Sequence, residues 1–178
     1  MRKAGLKIMG FVCESDALLD PMKDEIEEFT QYIIAGLQDS ESIVKEAACE
    51  TIGDFSDNAL EDFLDQRDQV LPVLFNVLEE YQTLATQSDE HAHSASRAIS
   101  ALSEFIANME DYDVMPHLER SLQICSVYLT GEGQRREVKY ETLKALSSII
   151  IAADETIMPK RDDLLNAFHA IIKSEGSI

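Results

Sequence analysis

One pattern constrains the fold more than any other. A small residue followed by large apolar residues at +4 and +7 is written four times along the chain. It reads Ala4/Ile8/Phe11, Ala48/Ile52/Phe55, Ala98/Leu102/Phe105 and, with threonine in the small slot, Thr142/Leu146/Ile149, at spacings of 44, 50 and 44 residues. Positions i, i+4 and i+7 share one face of an α-helix, so each triplet predicts a buried stripe where the small residue admits a close neighbour. A unit that recurs at such a period cannot bury its apolar face alone and must stack on its neighbours.

The stripes sit in runs read as helices over about Lys3–Cys13, Ser42–Phe55, His91–Met109 and Gln134–Ala153, here called B helices. A second set, the A helices, is predicted over Pro21–Leu37, Val70–Tyr81, Pro116–Leu129 and Asp162–Lys173. Each of the four prolines lies at or near the start of an A run, where a missing N–H costs little because first-turn N–H groups lack partners. Strand-like alternation is not sustained anywhere. The 50-residue spacing is assigned to a longer A–B loop in YQTLATQSDEH, Tyr81–His91, and a second elaborated loop is read in TGEGQRRE, Thr130–Glu137. The expected division is a B-type helix over 1–16, repeats over 17–58, 59–110 and 111–154, and an A-type helix over 155–178. Two helices per unit at about 40–47 residues mark a HEAT or armadillo solenoid. The expected fold is therefore all-α, a right-handed HEAT-repeat solenoid of about eight helices. Neither end carries a polar cap, so the sequence is expected to be excised from a longer protein, with Met1 supplied from outside it.

Charge narrows the partners. With 34 Asp and Glu against 15 Lys and Arg, the net charge is −19. Such a surface repels nucleic acid and anionic lipid and attracts basic ligands. No run of 18 apolar residues is present, and the basic–apolar N-terminus is interrupted by Lys7 and Glu14 without a cleavage pattern, so neither a membrane span nor a signal peptide is read. Cys13, Cys49 and Cys125 are odd in number and far apart, which predicts reduced, buried thiols. No phosphate-binding glycine loop or nucleophile elbow appears, so no enzyme activity and no cofactor are expected. His91-x-His93 lacks a third ligand, and its side chains should diverge at the loop–helix junction, so no metal site is assigned.

The segment LQDSESIVKEAACETIGDFS resembles the HEAT consensus, with Asp39 in the A–B turn, Val44–Lys45, Ala47–Ala48 and then Ile52. Asp39 and Lys45 match the charge ladder that links HEAT repeats. Asp89 and Lys139 recur at their offsets, while Ala95 stands where a base is expected. More widely, RKAGLKIMGFVCES, GLQDS, VKEAACETIGDFSDN, DQVLPVLFNVLEE and SASRAISALSEFIANM resemble the central repeats of the importin-β superfamily, nearest the importin-5 and importin-4 types. The resemblance covers about residues 1–170. It implies a nuclear transport receptor moving between cytoplasm and nucleus. Such a receptor binds basic protein cargo on a B-helix face, releases import cargo to the Ran GTPase in its GTP form, and docks Phe-Gly nucleoporins between outer A helices. The Ran contacts of such proteins lie mostly outside central repeats. A HEAT scaffold gripping a folded partner is the alternative.

On the second B helix, Glu46, Glu50 and Asp54 recur at i, i+4 and i+8, apart from the apolar stripe. Like charges at this spacing cost about 0.2–0.5 kcal/mol per pair on an isolated helix. They are the candidate cargo-binding residues, with Glu104, which aligns with Asp54. Ser96 and Ser100 replace the other two acids on the next B helix, and Lys144 stands at the Glu50 position on the last, so a local patch is expected. Acid pairs such as Asp24–Glu25 and Asp162–Asp163 fall in first turns of A helices and complement the helix dipole.

Overall fold

The computed structural model describes residues 1–13, 24–58 and 61–154, together with Ile157, Asp162 and Asn166. Every regular element among them is helical: α1 Arg2–Cys13, α2 Ile26–Leu37, α3 Ser42–Asn58, α4 Glu61–Leu64, α5 Arg67–Leu84, α6 Asp89–Ala107, α7 Asp111–Thr130 and α8 Arg136–Ala153. Two layers result. The B helices α1, α3, α6 and α8 pack side by side in chain order, and the A helices α2, α5 and α7 form the other layer, each against the B helix that follows it. The protein is an all-α stack of helix pairs. The expected A helix at Asp162–Lys173 lies outside the described residues except for Asp162 and Asn166, as do Pro21 and Pro159.

Three triplets are buried. Ala48, Ile52, Phe55, Ala98, Leu102, Phe105, Thr142 and Ile149 are fully inaccessible and Leu146 nearly so. The first is not. Ala4 is exposed, Ile8 is 61% exposed and Phe11 67% exposed, and α1 instead turns Leu6, Gly10 and Cys13 inward. The i, i+4, i+7 rule finds an apolar face but not whether anything covers it, and among the described residues no A helix precedes α1.

Small residues set the spacing of the layers. α6 is enclosed by α3, α5 and α8 and presents Ala92, Ala95, Ala98 and Ala101 with buried serines. Buried hydroxyls at such close approaches return to their own helix: Thr30 to the Ile26 carbonyl at 2.8 Å, Thr51 to Ala47 at 2.8 Å and Thr142 to Val138 at 2.7 Å. Gly36 does the same job in α2, where a Cβ would stand 2.9 Å from Leu6 Cδ1 and 3.0 Å from the Ala48 Cβ.

Four expectations change. The short helix α4 was not anticipated; its Phe63 is fully buried and meets Phe55 at 5.2 Å and Phe105 at 5.4 Å edge-on, continuing a row that starts with Phe29. α2 starts at Ile26, after a turn at residues 24–25, so Asp24 and Glu25 precede its first turn. Pro72 and Pro116 do not open their helices, because α5 starts at Arg67 and α7 at Asp111. Arg67–Asp113 at 2.5 Å and His117–Asp68 at 3.1 Å link the two helices near their N-terminal ends. The loop assigned to Tyr81–His91 is only residues 85–88. α5 runs on to Leu84, since Tyr81 and Ala85 are buried, and Ser88 caps α6 by accepting the His91 N–H at 3.1 Å.

Candidate functional site

Adjacent B helices are joined by charged and polar contacts along their seams. Between α1 and α3, Lys7 pairs with Glu50 at 3.0 Å, and Thr51 Oγ1, whose proton is shared with the Ala47 carbonyl, lies 3.0 Å from the Leu6 carbonyl. Asp54 lies over Gly10, where a Cβ would overlap its Oδ2. The next seam, α3 to α6, repeats the device: Glu104 lies over Gly53, where a Cβ would overlap its Oε2. Glycine in mid-helix is unfavourable by about 0.5–1 kcal/mol relative to alanine. Here it makes room for a carboxylate of the following B helix.

The acidic stripe thus lies partly within the seams. Glu46 accepts a 2.6 Å hydrogen bond from Ser94, Glu50 lies between Lys7 and Arg97 (3.9 Å), and all of Glu46, Glu50, Asp54 and Glu104 are half-buried. A structural role exists for each acid. They also line open space. A groove of about 170 Å³ between α3 and α6 is bordered by Glu50, Asp54, Asp57 and Glu104, with Arg97 as its cation. Burial raises the Glu104 carboxyl above the usual range, and the charges of Asp57 and Asp54 add to the rise; the Ser100 hydroxyl and Lys144 pull the other way. Like charges are crowded where a cationic ligand would relieve them.

A second groove, about 230 Å³, follows between α6 and α8, lined by His93, Ser96, Arg97, Ser100, Glu137 and Glu141. The acidic surface therefore spans three B helices. Asp57, Arg97, Glu137 and Glu141 were not read from the sequence as site residues. Asp57 falls one turn beyond Asp54 and extends the same stripe. Glu137 and Glu141 both fall in the helical run expected over Gln134–Ala153, but Glu137 is also read as part of the loop Thr130–Glu137, which ends earlier, at residue 135.

The ladder residues take separate partners. Asp39 is 8% exposed, pairs with Arg2 on α1 and accepts the Glu41 N–H at 3.0 Å. Lys45, also 8% exposed, reaches forward to Glu80 on α5 and lies over the Tyr81 ring. One charge points back along the stack and the other forward. Asp89 is exposed at the head of α6 and pairs with Arg135 at 2.9 Å; Lys139 is half-buried on α8.

The histidines point apart. His91 lies 3.0 Å from Ser88 Oγ and beside Tyr81, whereas His93 meets Glu137 at 3.4 Å. Among the described residues no three side chains are grouped to hold a metal ion, and no helix is long and apolar enough to cross a membrane. The three cysteines are free and buried, and burial pushes each thiol up to about 12, away from reactivity at neutral pH.

No protein-family model matches the chain, and no curated protein does.

Proposed function

We propose that the chain is a protein-binding segment of a nuclear transport receptor of the importin-β kind, built on HEAT repeats, and that its B layer receives lysine- and arginine-rich cargo. The observation that carries this reading is the groove between α3 and α6, where four carboxylates stand against one arginine. In a chain of net charge −19, such a groove draws cations over a Debye length of about 8–10 Å. The HEAT assignment is supported by the alternating layers and by Asp39 and Lys45 bridging consecutive units. On this reading the A layer faces Phe-Gly nucleoporins, and Ran in its GTP form displaces the cargo. The protein moves between cytoplasm and nucleus, performs no chemistry, needs no cofactor, and leaves nucleic acid and membranes alone.

The test is a titration with a basic localisation peptide at low and physiological salt. Wild type should bind more weakly as salt rises. A variant carrying Glu46→Gln, Glu50→Gln and Asp54→Asn keeps hydrogen-bonding side chains in the seams, and should lose about tenfold or more in affinity while its circular dichroism is unchanged. Unchanged affinity would sink the assignment.

A second reading is favoured by Glu46 and Glu50 already having partners within the stack. The face would then grip a folded protein outside nuclear transport. Pull-down by GTP-loaded Ran, using a chain that includes the flanking repeats, separates the two: capture supports the receptor, and its absence supports the scaffold.

A further inference from the structure

α1 differs from the other B helices in charge as well as in burial. Arg2, Lys3 and Lys7 fall in its first two turns, and no Asp or Glu comes before Glu14, in a chain of net charge −19. At about 3.6 residues per turn, the order around α1 is Lys3 and Lys7, then Phe11, Ala4 and Ile8, then Gly5 and Met9. Leu6, Gly10 and Cys13 complete the circle on the buried side. The exposed stripe therefore has lysines along one edge.

Its other edge runs into a groove of about 360 Å³ between α1 and α2, lined by Gly5, Leu6 and Met9 on one side and by Tyr32, Ala35 and Gly36 on the other. A Cβ at Gly5 would meet nothing within 4 Å, so a neighbour could approach the α1 backbone closely there. Stripe and groove form one apolar trough, from Phe11 and Ile8 across to Tyr32.

The three equivalent stripes show what such a face receives. α2 lies against α3, α5 against α6 and α7 against α8. Each covering helix is apolar on its packed side and carries two more acids than bases. α2 has Glu27 and Glu28 and no base, while α5 and α7 each have three acids against one arginine. The α1 face offers the same stripe with the opposite charge beside it.

We infer that the exposed face of α1 is a docking site for an acidic amphipathic helix of another protein, seated on α1 as α2 is seated on α3. The partner's apolar residues fill the trough, and its acids lie beside Lys3 and Lys7. The acidic remainder of the chain is screened beyond a Debye length of about 8–10 Å, so the lysines set the sign locally. A second copy fits less well. Two α1 faces would bring their lysines together, and the bare side of α8, with Tyr140, Leu143 and Ile151, exposes Arg136 and Lys144 beside them.

The probe is a capped helical peptide with leucines on one stripe and glutamates along its flank, compared with the same peptide carrying glutamines instead. Each is titrated into the full chain. Wild type should bind the glutamate peptide, and the glutamine peptide about two- to tenfold more weakly. The double variant Ile8→Ser, Phe11→Ser should weaken the glutamate peptide about tenfold or more. Its thermal melt should match that of wild type, because both side chains are exposed. Lys3→Glu should weaken the glutamate peptide and leave the glutamine peptide within about twofold. Absence of binding to wild type overturns the proposal. So does binding that the double variant leaves intact, since the peptide then sits elsewhere. Sedimentation of wild type alone tests the rival occupant: self-association that the double variant abolishes would mean a second copy covers the face, and the assignment to another protein fails.

Discussion

α1 and α3 carry the same apolar stripe in the same order, and the molecule treats them oppositely. Ala48, Ile52 and Phe55 of α3 are wholly inaccessible, whereas Ile8 and Phe11 of α1 are more than half exposed. The stripes match, but α1 has Leu6, Gly10 and Cys13 where α3 has Glu50, Asp54 and Asp57, and it is this second face of α1 that turns inward. α3 has α2 laid across its stripe, and among the described residues no helix does this for α1. Burial in a stacked fold belongs to the neighbour as much as to the helix, and hydrophobic contributions follow the neighbours in the same way.

The sharpest way to break this comparison is to truncate the equivalent phenylalanines. Phe55→Ala should destabilise by about 3–5 kcal/mol, since it empties the centre of the Phe29–Phe55–Phe63–Phe105 row. Phe11→Ala should change stability by less than about 0.5 kcal/mol. Urea unfolding of both variants gives the answer. A Phe11→Ala cost approaching that of Phe55→Ala would mean the α1 stripe is covered in solution, and the contrast would vanish.

The glycines sharpen the same comparison at smaller scale. Gly5 lies on α1 with nothing within 4 Å of a Cβ placed there, whereas a Cβ at Gly36 meets Leu6 of α1 and Ala48 of α3 together. Ala48 Cβ is fixed to its backbone and cannot yield without moving a helix. Gly36→Ala should therefore cost about 1–3 kcal/mol despite alanine's better helix propensity. Gly5→Ala should gain about 0.5–1 kcal/mol, because only the propensity term acts. Equal effects in thermal melts would refute the packing difference.

These contrasts show what the sequence could disclose. The stripes at Ala48, Ala98 and Thr142 were legible because burial on one side of a helix forces the 3.6-residue period. Their covering partners were not, since the period is the same whether or not a neighbour exists. Phe63 was invisible because a four-residue helix holds no period. The start of α5 was misplaced because Pro72 resembles a first-turn residue until the Arg67–Asp113 and Asp68–His117 pairs, which span two repeats, are seen. The acids Glu46, Glu50 and Asp54 were legible as a stripe, but their insertion between helices was not. It depends on Gly10 and Gly53, which read as ordinary helix weak points.

The smallest predicted effect concerns the two carboxylates laid over glycines. Glu104 over Gly53 has its carboxyl raised by burial and by Asp57 and Asp54. A carboxyl with a raised folded-state pKa binds its proton more tightly in the native protein than in the unfolded chain. Its contribution to stability therefore grows as pH falls through the folded value and is lost as pH rises above it. At neutral pH the ionised Glu104 is a net cost to the stack, set against its hydrogen bond from Ser100 at 3.0 Å. Glu104→Gln keeps the shape and an acceptor for Ser100 but removes the charge. Its melting temperature should exceed that of wild type by about 1–3 °C at pH 7, and the gap should close as pH is lowered into the range where Glu104 of the wild type takes up its proton. A gain that stays constant with pH would show that the charge is not its source. A loss at pH 7 would show that the carboxylate, like Lys7–Glu50 one seam earlier, is held for attraction between the helices and not merely tolerated there.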